Sequence, residues 1–157
     1  MSKYDDLCAE YQQASARFNQ YADYCYTFTD EFFTGLKEYL DCPDDTIKFY
    51  APQDMLDIKQ GCDLKKALLH SPDGYYSLCF SLTLKNSGEQ DVVLAALRIK
   101  KASDYFLVKV GLSRKEFEIS AKEDFIPAFD YIYDSIKNYY QRDGFIKSTS
   151  NPIGFAV

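Results

Sequence analysis

Tyr4, Tyr11, Phe18, Cys25, Phe32 and Tyr39 recur every seven residues, and Leu7, Ala14, Tyr21, Phe28 and Gly35 fill the alternate slot. Apolar residues spaced three and four apart are the mark of a helix buried along one stripe. No proline interrupts the pattern before Pro43, so nothing forces the helix to stop. The spacing predicts a long helix over residues 1–41. Straight from residue 3 to 40 it would be about 57 Å long, whereas a compact domain of this size has a radius of gyration of about 15 Å. The helix must bend, break or project. A break near Asn19–Tyr21 would give two antiparallel helices with no partner required. A projecting apolar helix would be covered by one.

The stretch YADYCYTFTDEFF, residues 21–33, holds six aromatic residues. At about 100° per residue they fall on two arcs. Phe18, Tyr21, Cys25, Phe28 and Phe32 share the first, and Tyr24 is read as facing inward with them. Tyr26, Phe33 and Leu40 share the second, roughly 120° away. One arc can cover a sheet. The other needs the C-terminal helix, the irregular segment after Pro43, or another chain.

Residues 43–74 read as an irregular crossover. It holds a turn at Pro43-Asp44-Asp45, a short strand at Ile47–Tyr50, and two short helices over Asp54–Lys59 and Asp63–His70. Asp63 is the expected N-cap of the second. Ser71-Pro72-Asp73-Gly74 is a turn. The period then falls to two: Tyr76, Leu78, Phe80, Leu82 and Leu84, then Val93, Ala95, Leu97 and Ile99, then Phe106, Val108 and Val110, then Phe117 and Ile119. Asn86–Gln90 is read as a loop and Ser113-Arg114 as a turn. Short connections predict a four-stranded antiparallel meander over residues 75–120, with helices on one face. A helix follows over 121–144, starting near Asp124 so that Pro127 falls in its first turn, and stopping at Gly144. Residues 145–157 form a tail that docks on its own domain or awaits a partner. The fold class is α+β, one domain over 1–157.

Of the 157 residues, 14 are Tyr and 12 Phe, and the formal net charge is −6. Residues 1–74 carry 14 acids and 7 bases, a net of −7; residues 75–157 carry 10 acids and 11 bases, a net of +1. This argues against a phosphate-backbone binder, so no nucleic-acid partner is expected. No apolar run reaches about 18 residues, and no membrane association is expected. The N-terminus lacks the apolar core of a secretory signal. The five cysteines form no C-x-x-C pair, and Cys8 and Cys25 on one helix would lie about 25 Å apart. Scattered thiols in odd number suggest a reducing, cytoplasmic setting.

Sequence chemistry is sparse. His70 is the sole histidine and has no nucleophile motif beside it. Asp41, Asp44, Asp45, Asp54 and Asp57 are acids near one turn, without the D-x-D-x-D-G calcium pattern. Phosphate-binding glycine motifs are absent. No metal, cofactor or catalytic residue is assigned. Arg98, Lys100 and Lys109 share the polar sheet face with Glu116, Glu118, Tyr75 and Tyr105. They are the candidate anion-binding residues, set against plain cross-strand charge pairing.

The leading expectation is a non-catalytic protein-binding module. It would act as a homodimer through the first helix, with Tyr26, Phe33 and Leu40 as the partner-binding residues. In general character the chain resembles bacterial secretion chaperones and immunity or inhibitor proteins, a likeness of type that transfers no residues. A small-molecule sensor, with a Tyr- and Phe-lined pocket between sheet and helices, is the alternative. An enzyme of unknown class is the third.

Overall fold

The computed structural model describes residues 2–52, 61–111 and 115–141. The first helix, α1 (Lys3–Leu40), is continuous over 38 residues, so the break near Asn19–Tyr21 does not occur. Ser2 caps its start: the Ser2 hydroxyl accepts from the Asp5 N–H, and the Asp5 carboxylate accepts from the Ser2 N–H. Asp41 closes the far end in the left-handed region, at φ 52°. A 3-10 turn leads into β1 (Ile47–Tyr50). Next come a one-turn helix, α2 (Leu64–Ala67), and a two-residue strand, β2 (Leu69–His70). Asp63 stands at the N-cap position of α2 but makes no side-chain cap bond. The segment read as one helix over Asp63–His70 is thus half helix and half strand. The helix read at Asp54–Lys59, the turn at Ser113-Arg114, the stop at Gly144 and the tail 145–157 lie outside the described residues.

The long strands are β3 (Tyr76–Asn86) and β4 (Glu89–Lys101). They pair in full register from Tyr76 with Ile99 to Asn86 with Glu89. Ser87 and Gly88 alone make the turn, both at positive φ, so the hairpin is tighter than the loop read at Asn86–Gln90. Then come β5 (Phe106–Val110), β6 (Glu116–Ile119) and α3 (Phe125–Gln141). The Asp124 carboxylate accepts from the Ser120 and Ala121 N–H groups just before α3. Pro127 therefore sits in the first turn, as read.

The sheet is antiparallel in the order β1-β3-β4-β5-β6, with β2 also paired to β3. The expected count of four is corrected to six among the described residues. The two additions precede the meander. In the sequence β1 stands as a short strand within the irregular crossover, apart from the meander, and a two-residue β2 is too short to show a period.

One sheet face carries Leu78, Phe80, Leu82, Val93, Ala95, Leu97, Ile99, Val108 and Val110. These join Cys25, Phe28, Phe32, Phe33 and Leu36 of α1, and Phe125, Ala128, Phe129 and Ile132 of α3, in one core. Tyr50, Cys79 and Leu94 make a smaller buried cluster. At Gly35 the Phe129 ring of α3 packs close on the α1 backbone. A Cβ there would stand 3.1 Å from the Phe129 ring, tighter than ordinary packing.

Phe33 should behave as a core residue. Phe33→Ala is expected to cost about 3–5 kcal/mol in urea unfolding. Tyr11→Ala, on the exposed part of the same helix, should stay within about 0.5 kcal/mol.

Candidate functional site

No residue from 2 to 20 is buried. The stripe that the heptad spacing builds is therefore used in two ways. From Tyr21 onward it packs on its own sheet. Before that it meets almost nothing of its own chain. Tyr4 is 74% exposed, Leu7 69%, Tyr11 73% and Phe18 47%. Residues 3–17 form a projection about 22 Å long, continuous with a helix rooted in the core.

The root is well built. The Tyr21 hydroxyl donates to the Gly74 carbonyl at 2.9 Å and accepts from the Lys101 N–H at 3.1 Å. One phenol thus ties α1 to the turn before β3 and to the last residue of β4. Burial pushes its pKa up. Phe18 meets the His70 ring edge-on at 5.2 Å, and His70 meets Tyr76 at 5.1 Å. His70 is an exposed aromatic contact at the base of the projection, with no nucleophile beside it among its described contacts.

The partner stripe read from the sequence lies elsewhere. Phe33 is 2% exposed and packs against Phe49 and Phe80. It is not available to another chain in the folded state. Tyr26 is half-buried beneath the Lys65 ammonium, and Leu40 is half-buried against the core. The second arc is covered from within, by β1 and α2 of the irregular segment. Tyr24, read as inward, is 47% exposed; it accepts from Gln20 and lies under Lys101.

The residues missed as outward-facing are Tyr4, Leu7, Tyr11 and Phe18. Periodicity could not flag them, because it is the same before and after Tyr21. Charge carries a signal. Between Tyr4 and Ala16 the charged residues are Asp5, Asp6 and Glu10, all acidic, with no base until Arg17. That helix face gains nothing from internal ion pairs.

Arg98, Lys100 and Lys109 do come together. All three cations lie over the Tyr75 ring, at 4.6, 5.4 and 4.8 Å from its centroid. Arg98 is paired with Asp73 and Lys109 with Glu116, and the Tyr75 hydroxyl reaches toward Glu116 at 3.4 Å. The hydrogen bond to Glu116 pushes the Lys109 pKa up. An anion here would compete with Asp73 and Glu116 for two of the three cations. The arrangement braces neighbouring strands, each cation–ring contact contributing roughly 0.5–1 kcal/mol.

A groove of about 940 Å³ runs between α1, α3 and the end of β6. Phe28, Phe106, Phe125 and Phe129 line it, with Asp30, Glu31 and Glu38 along its α1 wall and Lys122 opposite. Phe28 and Phe106 stack at 4.0 Å, so the floor is packed aromatic rings. Among the described residues no group of three His, Cys, Asp or Glu could hold a metal ion. No helix among them is long and apolar enough to cross a membrane. Cys25 and Cys79 are buried, and burial pushes their thiols up, away from reactivity.

Tyr39, at the rim of the groove, donates to the Asp130 carboxylate. That hydrogen bond, with a smaller part from burial, pushes the phenol pKa up to about 12. The folded state holds the proton more tightly than the unfolded chain. The contribution of this bond is therefore complete below about pH 10 and is lost as pH rises toward 12. In spectrophotometric titration Tyr39 should be among several late-ionising phenols, with Tyr21, Tyr76 and Tyr140, and Asp130→Asn should return one of them toward the ordinary range. No protein-family model, curated protein or solved structure matches the chain.

Proposed function

We propose that the chain is a non-catalytic protein-binding module whose docking element is the projecting half of α1. The observation that carries this is the run of Tyr4, Leu7, Tyr11 and Phe18 on one stripe, exposed along a helix that its own body touches at its base, where Phe18 meets His70. The rooted half supplies a helical nucleus, yet residues added beyond it gain little while their side chains stay in water. Asp6 and Glu10, four apart, repel. An apolar stripe on such a helix is the surface another helix covers.

A photo-crosslinking phenylalanine analogue at position 14, introduced in living cells, should yield a protein adduct on irradiation. Adding Leu7→Asp and Tyr11→Asp should abolish the adduct while leaving thermal unfolding within a few degrees. Absence of any adduct at positions 11 and 14 defeats the reading.

A second reading, a small-molecule sensor, is favoured by one observation, the aromatic-floored groove between α1 and α3. Its volume is within the range of ligand sites. N-phenyl-1-naphthylamine, a neutral apolar dye, should then brighten on binding, and Ala121→Trp at the rim should remove the effect. No brightening, or brightening unchanged by Ala121→Trp, removes this reading.

A further inference from the structure

We infer that the partner is a second copy of this chain, its α1 laid antiparallel on the first so that Glu10 of each copy faces the partner's Arg17. This rests on the reading of the projecting half as a docking element and names its occupant.

The stripe sets the pairing rule. In an antiparallel pair of helices, residues of the Tyr4-Tyr11-Phe18 series pack against the Leu7-Ala14-Tyr21 series of the other helix. One register places Leu7 on the partner's Phe18 and Tyr11 on the partner's Ala14, with the same layers repeated by symmetry. Tyr11, the largest side chain in the middle, meets Ala14, the smallest, so the layers interdigitate. Tyr4 then reaches the level of the partner's Tyr21, where the partner's body begins. Overlap stops where the two bodies start.

Charge selects this register. The residues flanking the stripe on one side are Lys3, Glu10, Arg17 and Tyr24. In the stated register Glu10 and the partner's Arg17 are neighbours, twice over by the two-fold symmetry. Sliding back one heptad would bring Glu10 onto the partner's Glu10, and Lys3 onto the partner's Arg17. Sliding forward drives each N-terminus into the other body. A parallel pair fares worse. It places Glu10 opposite the uncharged Ser15 and Arg17 opposite Ala22, so neither charge meets an opposite one. It also sets two bodies, both on the stripe side from Tyr21 onward, against each other at one end. Antiparallel packing moves the bodies to opposite ends and opposes the helix dipoles.

The area is sufficient for a weak specific dimer. Covering Tyr4, Leu7, Tyr11 and Phe18 on both copies removes on the order of 1,000 Å² from water, near the lower bound for a specific interface. A dissociation constant in the micromolar range is expected.

Light scattering on the full chain from about 1 µM to about 500 µM should show a monomer–dimer equilibrium. Glu10→Arg and Arg17→Glu should each weaken the dimer by roughly tenfold. The double reversal should restore it. Both side chains are exposed, so circular dichroism should show all variants equally folded. In Ser15→Cys, oxidation should link Cys8 of one copy to position 15 of the other. The same two positions within one helix lie about 10 Å apart, too far for a disulfide. A monomer at every concentration overturns the inference. A dimer indifferent to the single reversals, or not restored by the double, overturns the register. An adduct at position 14 in cells with some other protein, alongside a monomeric purified chain, overturns self-pairing and leaves the docking role of the helix standing.

Discussion

Phe32 and Phe33 are adjacent in sequence, point about 100° apart on the helix, and are both buried. Everything else about α1 depends on that pair. Phe32 meets Phe125 and Phe129 of α3, while Phe33 meets Phe49 and Phe80 of the sheet. A helix gripped on two sides in this way cannot roll about its axis without opening the core. Leu36 one turn on, fully buried, and the doubly bonded Tyr21 hydroxyl hold the same orientation. The direction in which Tyr4, Leu7 and Tyr11 face is therefore decided some thirty residues away, in the core.

The β-hairpin and the paired cations work at the opposite end of the energy scale. Eleven residue pairs from Tyr76–Ile99 to Asn86–Glu89 give β3 and β4 the longest ladder of the sheet, and the outer strands are laid on either side of it. Asp73 and Glu116 answer two of the three cations over Tyr75, and this cluster crosses β4, β5 and β6. It is individually weak and collectively well placed to hold register on the side of the sheet away from the helices.

The α+β class, the helical period of α1, the start of α3, the placement of Pro127 and the main strands were legible because each rests on a local rule: a period, a cap or a turn residue. What was not legible was which surface each stripe meets. Phe33 reads as a second outward face, since the segment that covers it has no period of its own. Phe49 and Lys65 arrive there only through β1 and α2, elements of four residues each. Tyr11 reads as core because its spacing matches Phe32. The difference is that the sheet spans part of the helix, a fact of tertiary length that a repeating pattern does not encode. Tyr24 belongs to neither buried arc, and its aromatic character alone suggested burial. Arg98, Lys100 and Lys109 were correctly read as sharing a face, but their gathering on one ring depends on cross-strand register, which alternation alone leaves open.

A continuous α1 also behaves as a shaft whose two ends share one phase. Inserting a single residue between Phe18 and Tyr21 would leave the capped tip intact and the core undisturbed, yet would swing the tip by about 100°. Seven inserted residues would turn it by only about 20° and lengthen it by about 10 Å. Chains of this design can therefore change reach in steps of seven without changing aim, and lose aim with one.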